Sequence, residues 1–387
     1  MSLVCEFGNK SVGLVTTEKV TFQGDDYVLN LDCGQRLHPV TIAYETYGEL
    51  NPDKNNAILV CHALTGDAHA AGYHTGVEGE KPGWWDMLIG PGKCLDTDRY
   101  FIICSNFLGG CKGTTGPTSI NPATGKPYGL DFPFYTVRDM VQVQQWLVSH
   151  LNIKSLLAVI GGSLGGMQVL QWAIQFPEMV HGALPIATTA RMSPQSIAFN
   201  AVARQAIMSD PQWNFGLYEP QSPPASGLAL ARMIGHITYL SQDAMLRKFS
   251  RRFIQGNTRG YKFEADFEVE SYLHYQGSSF VKRFDANTYL FITKAMDYFD
   301  LEADYGSLKA AFEKCQSSFL VISFTSDWLF PPECSQELVK AIRMAGKHVS
   351  YCNVGSDQGH DAFLLPGNRM GEVVSGFLTR LESEIRR

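Results

Sequence analysis

Long apolar runs are missing from this chain of 387 residues: no segment approaches the roughly 18 consecutive apolar residues that a membrane-crossing helix needs. Basic clusters are missing as well. With a formal net charge of −6 and no run of lysine or arginine, the chain lacks the footprint of a general nucleic-acid binder. Cysteine pairs are absent in pattern. Cys5, Cys33, Cys61, Cys94, Cys104, Cys111, Cys315, Cys334 and Cys352 are scattered, without C-x-x-C and without zinc spacing. That excludes a disulfide framework, and a reducing cytoplasm is the expected location. Cys61 and Cys104 lie in apolar runs, where a thiol packs as a small hydrophobe. Cys111, among glycines, is the one kept as a pocket residue. There is no P-loop, no G-x-G-x-x-G opening a βαβ unit and no H-E-x-x-H, so neither a bound cofactor nor a metal is expected. Met1 to Lys10 lacks a basic stretch followed by an apolar one, so no secretory leader is expected. Repeats and low-complexity tracts are absent too.

What is there is ordinary for a globular protein, 45% hydrophobic and 18% charged. The length suits a large α/β domain with an insertion, or two domains, with ample core. Val20-Thr21-Phe22, Tyr27-Val28-Leu29 and Thr41 to Tyr47 read as opening strands. Ala57 to Cys61 and Phe101 to Cys104 read as buried strands, and the loop between them carries Trp84 and Trp85, taken as packing residues. Residues 111–133, rich in Gly, Thr and Pro, read as a long loop beside a site. A helical face at Val137 to Val148 leads to the strand Leu156 to Ile160, and Gly182 to Ala187 reads as the next strand. From about Ala190 to Phe299 the apolar spacing turns helical. Strands return at Phe319 to Phe324 and His348 to Val354, around a helix at Cys334 to Ala345, before a closing helix at Val373 to Leu378. Alternation of this kind predicts an α/β fold with a mostly parallel sheet covered on both faces. The predicted organisation is a core of residues 1–189 and 301–387 and an inserted helical lid of residues 190–300.

The most informative stretch is Leu156-Leu157-Ala158-Val159-Ile160-Gly161-Gly162-Ser163-Leu164-Gly165-Gly166. It fits strand, G-x-S-x-G and helix, the nucleophile elbow of α/β-hydrolases. The glycines two before and two after Ser163 answer to sterics, since a Cβ there would meet neighbouring backbone in so tight a turn. The serine then stands at a helix N-terminus, where N–H groups favour developing negative charge. A nucleophilic serine needs a base and an acid, in the chain order Ser, Asp or Glu, His. Asp327 follows the strand Phe319 to Phe324, and His360 follows His348 to Val354, so both belong to the carboxyl edge where Ser163 emerges. Taken singly, Asp327 could be a helix cap and His360 a loop histidine; their order and placement favour a triad. The oxyanion donors are expected at the N–H groups of Leu164 and Leu64, the latter in the loop His62-Ala63-Leu64-Thr65-Gly66. His62 competes as a base but better suits anchoring of that loop.

In the inserted block Leu230, Met233, Ile234, Ile237 and Leu240 form an apolar helical stripe. Arg232, His236, Tyr239 and Asp243 fall opposite, as a solvated face or, over a pocket, with Arg232 as a fork for a substrate carboxylate. Asp361, beside the proposed base, would hold a cationic group or cap a helix.

Several of these runs resemble the homoserine O-acyltransferase family of α/β-hydrolase-fold enzymes. They are Val159 to Gln168, Ala187-Thr188-Thr189-Ala190-Arg191-Met192-Ser193-Pro194-Gln195, Ala231 to Ser241, Phe284 to Leu290 and Gly359 to Leu364. The likeness runs from about residue 20 to the C-terminus. It implies Ser163, Asp327 and His360 as nucleophile, acid and base, with Arg232 and Asp361 holding homoserine. Tyr239 and Thr65 are included in the substrate-binding set. It further implies a ping-pong transfer from acetyl-CoA, as co-substrate, to the side-chain hydroxyl of L-homoserine in methionine biosynthesis, by a cytoplasmic homodimer joined through the lid. Trp328 to Cys334 holds no basic residue and carries Glu333, which argues against succinyl-CoA. Homoserine O-succinyl transfer, serine as acceptor, and an esterase or thioesterase using water are the competing expectations.

Overall fold

The computed structural model describes residues 10–385 apart from 78, 220, 255, 257, 258 and 368. The segment read for a leader, up to residue 9, and Cys5 with it, lies outside the described residues. The strands are β1 (Glu18–Phe22), β2 (Leu29–Asn30), β3 (Arg36–Leu37), β4 (Val40–Tyr47), β5 (Ala57–Cys61), β6 (Phe101–Ser105), β7 (Leu156–Gly162), β8 (Val180–Ile186), β9 (Ser318–Phe324) and β10 (Val349–Val354). Among the described residues eight of them form one sheet in the order β1-β4-β6-β5-β7-β8-β9-β10, and β2 pairs with β3 in a small ribbon. β4 runs antiparallel to both neighbours, and from β6 to β10 every pairing is parallel.

Parallel strands need covering on both sides, and their residues divide accordingly. Leu59 and Cys61 of β5 and Leu156 and Val159 of β7 join one core, with α1 (Val137–His150) and α2 (Leu164–Gln175). Ile58, Val60, Leu157 and Ile160 join the other. α1 starts at a capping box in which Thr136 and Asp139 bond each other's backbone N–H.

The insertion between β8 and β9 is helical: α3 (Pro194–Met208), α4 (Ala225–Tyr239), α5 (Gln242–Phe249), α6 (Glu268–Val281), α7 (Ala286–Asp297), α8 (Leu301–Tyr305) and α9 (Leu308–Phe312). Its neck is stitched where the chain enters and leaves. Leu301 N–H donates to Ala190 O at 3.0 Å and Met192 N–H to Phe299 O at 3.3 Å. α10 (Pro332–Met344) and α11 (Met370–Ile385) complete the core, α11 packing on the second face.

Two local expectations are met only in part. Of Tyr27-Val28-Leu29 only Leu29 enters a strand, the short β2: Asp25–Tyr27 forms a 3-10 turn, and the Tyr27 ring packs on Phe22 and Trp146 at 5.0 and 5.5 Å. The apolar stripe on α4 is divided, with Met233 and Ile234 half-buried and Leu240 buried, while Arg232 and Tyr239 of the polar side line a pocket. Leu230 and Ile237 are 47% and 45% exposed, while Leu228, Ala231, Gly235, His236 and Thr238 are buried. The cause is close helix packing through small residues. A Cβ on Gly227 would lie 2.7 Å from Ile207 Cα, and one on Gly277 of α6 would lie 3.0 Å from Ala229 Cβ. Asp243 belongs to α5 and is exposed, so it is not part of the inward face of α4.

Candidate active site

β7 ends at Gly162 and α2 begins at Leu164, so Ser163 alone makes the turn, at φ 58° and ψ −122°. A non-glycine residue there is strained by its own Cβ. The surroundings hold it: Ser163 N–H donates to Ile186 O at 2.9 Å, and the Thr188 hydroxyl donates to Ser163 O at 2.8 Å. The flanking glycines are sterically required. A Cβ on Gly161 would lie 2.6 Å from the Cys61 carbonyl oxygen, and one on Gly165 would press on that same atom harder still.

The structure brings Ser163, His360 and Asp327 into one hydrogen-bonded line. His360 Nε2 lies 2.8 Å from Ser163 Oγ, and Nδ1 lies 2.8 Å from Asp327 Oδ2. Asp327 follows β9 and is fixed by its other oxygen, which accepts the N–H groups of Leu329 and Phe330 at 3.0 and 2.9 Å. All three side chains are buried. Burial pushes the His360 imidazole down, but the charge and hydrogen bond of Asp327, then the charge of Asp361, outweigh it and raise the pKa above its ordinary value. Such a histidine accepts a proton readily.

Leu164 directly follows the serine, and Leu64 lines the same cavity as Ser163. Among the described residues neither N–H has a hydrogen-bond partner within the chain. The Leu64 N–H is aimed through its own peptide. Its carbonyl, on Ala63, accepts His62 Nδ1 at 2.8 Å and Gly66 N–H at 3.0 Å. Because the peptide is planar and trans, holding the oxygen fixes the opposite N–H. His62 Nε2 accepts Phe107 N–H at 3.3 Å, which assigns the Nδ1–H tautomer. With both nitrogens on backbone and the ring buried, His62 anchors the loop and has no lone pair left for a base.

A cavity of about 110 Å³ opens on Ser163 and His360. Leu64, Thr65, Arg232, Tyr239 and Asp361 all line it. Arg232 Nη1 donates to Thr65 Oγ1 at 3.3 Å, and its guanidinium lies over the rings of Phe280 and Tyr239 at 4.8 and 5.7 Å. Burial raises the Asp361 pKa, against the pull of His360 and Arg232. Among the described residues its carboxylate has no hydrogen-bond partner. Arg232 is also the only residue with a permanent positive charge among those lining the cavity, whose remaining wall includes Met192, Phe199, Met296, Leu329 and Phe330. Glu333 is exposed and Cys111 is outside the lining, so neither faces the cavity. His236 turns away from it: Nδ1 faces the Tyr272 hydroxyl at 3.0 Å, and burial, then the charges of Arg232, Lys248 and Arg283, hold its pKa down at about 3. Trp85 is fully buried, its indole N–H on Phe363 O at 2.9 Å, as a packing residue.

Two features have no precursor in the sequence reading. Arg283, just past α6, donates from Nη1 to Thr65 O at 3.0 Å; its nearest sequence signal is the Phe280 three residues earlier, over which it also lies. The second is a buried Glu45 that accepts from Thr17, His74, Tyr47 and His69 at 2.6, 2.8, 2.8 and 3.0 Å. The two imidazole centroids are 3.9 Å apart. Each Glu45 oxygen already accepts two of these bonds, Oε1 from Thr17 and His74 and Oε2 from Tyr47 and His69, so the cluster is a filled hydrogen-bond network.

With this geometry in view, comparison with known proteins is direct. The pattern of the α/β hydrolase fold family matches residues 56–366. A homoserine O-acetyltransferase of Methanohalobium evestigatum is 56% identical over 370 residues, 96% of this chain and 74% of that one. A homoserine O-succinyltransferase of Acidithiobacillus ferrooxidans is 54% identical over 377 residues, 97% of both chains. Among solved structures, homoserine O-acetyltransferase from Bacillus anthracis superposes with a TM-score of 0.86 at 31% identity, over 94% of this chain and 98% of that one. Esterase E22 does so at 0.84 and 30%, over 94% and 100%.

Proposed function

The chain belongs to the homoserine O-acetyltransferase family of α/β-hydrolase-fold proteins, and from that premise we propose how it moves an acetyl group from acetyl-CoA to the side-chain hydroxyl of L-homoserine, a step of methionine biosynthesis. One observation carries the reading: a charged pair, Arg232 and Asp361, lines the same small cavity as the Ser163–His360–Asp327 line. An α-amino acid carries a carboxylate and an ammonium, and these two groups match it.

Ser163 Oγ attacks the thioester carbonyl carbon while His360 Nε2 takes its proton. The resulting oxyanion sits between the N–H groups of Leu64 and Leu164. Collapse breaks the C–S bond, and the departing thiolate takes the proton from His360. L-Homoserine then enters, its carboxylate on Arg232 with Thr65 and Tyr239 alongside, and its ammonium on Asp361. His360 takes the hydroxyl proton as that oxygen attacks the acetyl-serine. A second collapse releases O-acetylhomoserine and returns the proton to Ser163. Asp327 keeps the imidazole in register throughout.

The mostly apolar wall around Leu329 and Phe330 supports acetyl over succinyl. A succinyl carboxylate would compete with homoserine for Arg232. Leu230 and Ile237 of α4, and Ile197 and Val202 of the neighbouring α3, are exposed apolar residues of the insertion. Their exposure supports a homodimer joined through these helices. Among the described residues no helix is long and apolar enough to cross a membrane.

The likeness to an esterase makes water the rival acceptor, and CoA release with and without L-homoserine decides between them. Transfer requires release to accelerate with homoserine and O-acetylhomoserine to form; fast release indifferent to homoserine overturns it. In Arg232→Ala the homoserine kcat/KM falls by about 10²-fold, the scale of stranding a buried charge partner, while acetyl-enzyme formation continues.

A further inference from the structure

Arg283 lies outside the cavity lining, yet its bond points at the chemistry. Its Nη1 donates to Thr65 O at 3.0 Å. That carbonyl belongs to the Thr65–Gly66 peptide, whose N–H donates to Ala63 O at 3.0 Å. Ala63 O in turn belongs to the peptide whose N–H is that of Leu64. A cation therefore stands at one end of two peptides linked head to tail, and the Leu64 N–H stands at the other.

We infer that Arg283 is a positioning residue for acyl transfer, holding and polarising the Leu64 oxyanion donor through the Thr65–Gly66 and Ala63–Leu64 peptides. This rests on the assignment of Leu64 as that donor. Each planar peptide transmits orientation, because fixing its oxygen fixes its N–H. Hydrogen bonds in series also polarise one another, and a charged donor at the head strengthens those that follow. Arg232 touches the same residue at a different atom, Thr65 Oγ1, at 3.3 Å. That contact does not enter the relay, so Arg232 is free to hold a substrate carboxylate while Arg283 keeps the loop set. The two guanidiniums share Phe280, whose ring lies 4.8 Å from Arg232 Cζ and 5.1 Å from Arg283 Cζ. The insertion thus reaches the core loop with a binding arm and a bracing arm. Where His62 holds Ala63 O from the sheet side, Arg283 holds the same loop from the helical side.

The test compares Arg283→Met and Arg283→Lys with the parent enzyme, using acetyl-CoA with homoserine and, separately, p-nitrophenyl acetate, which carries neither phosphate nor amino-acid groups. Arg283→Met should lower kcat about 10-fold or more with both donors, since a misaimed oxyanion donor raises the barrier whatever the leaving group. The homoserine KM should stay within about twofold, and Arg283→Lys, which keeps a cationic donor, should recover most of the rate. The acetyl-enzyme carbonyl stretch in isotope-edited infrared spectra should move to higher frequency in Arg283→Met. An unchanged kcat and carbonyl band overturns the relay. So does a rise confined to the acetyl-CoA KM, which would make Arg283 a phosphate contact, or one confined to the homoserine KM, which would make it a second carboxylate clamp. A lowered melting temperature with no recovery in the lysine variant overturns it as well, leaving a structural role. Should homoserine fail to accelerate CoA release in the parent enzyme, the transferase reading falls, and the ester reaction still reads the relay.

Discussion

Among the described residues two histidine–carboxylate clusters stand out, and they have opposite uses. At the site, His360 gives one nitrogen to Asp327 and the other to Ser163 Oγ, each at 2.8 Å. In the loop after β5, His69 and His74 both turn a nitrogen to Glu45, which Thr17 and Tyr47 also fill. The carboxylate is not what separates them. His360 keeps a second nitrogen on a strained, reactive hydroxyl, whereas the Glu45 cluster spends its capacity on itself. The loop cluster can stabilise, and the site can pass a proton.

The sharpest way to break that comparison is to remove the shared ring. His360→Gln should lower kcat by about 10⁴-fold or more, with a residue of activity from the oxyanion donors. Acetyl-enzyme formation, followed as a mass shift on Ser163, should become undetectable on the timescale of turnover. A His360 variant with near-parent acylation would place the base elsewhere.

The matching change in the loop should move stability and spare the chemistry. Glu45→Ala leaves two imidazoles and two hydroxyls without their buried acceptor, a cost of about 3–5 kcal/mol. Thermal or urea unfolding reads it, while kcat below the transition stays within a few-fold. Burial opposes ionisation of Glu45, but the hydrogen bonds from His69, Thr17, His74 and Tyr47 prevail and hold its pKa at about 2. A depressed carboxylate stabilises the fold fully above its ordinary value of 4.5 and loses that contribution as pH falls toward about 2. The parent should therefore lose stability more steeply than Glu45→Ala across that window. Parallel curves would show that the network contributes nothing.

How much of this was legible in the sequence follows from what each residue's surroundings depend on. The strand Leu156 to Ile160, the elbow and the order of Ser163, Asp327 and His360 are local patterns, since a doubly buried strand must be apolar throughout and a tight turn must have glycine. The two faces of α4 stayed open between alternatives for the converse reason. An apolar stripe records that some surface covers it, not that the chain's own core does, so Leu230 and Ile237 point outward while Ala231 and Gly235 permit close packing. Arg283 and Glu45 were invisible because their partners, Thr65 and the His69–His74 pair, lie far away in the chain. A lone arginine after a helix and a lone glutamate in a strand have no periodicity to betray them.

The smallest expected effect tests what remains unequal between the clusters, a second carboxylate. Asp361 adjoins His360, and its charge adds to that of Asp327 in raising the imidazole pKa. Acyl transfer needs His360 neutral, so the rate should climb with pH along a limb whose midpoint lies above the ordinary imidazole value of 6.5. Asp361→Asn removes one of the raising charges, so the limb should move to lower pH, by less than loss of Asp327 would cause. The measurement belongs on p-nitrophenyl acetate, because homoserine would confound it: with the ammonium partner gone, its KM should rise at every pH. A limb that stays in place would mean that solvent in the cavity screens Asp361 from the ring. Its assignment would then rest on homoserine binding alone, and Asp327 would be the sole carboxylate setting the basicity of His360.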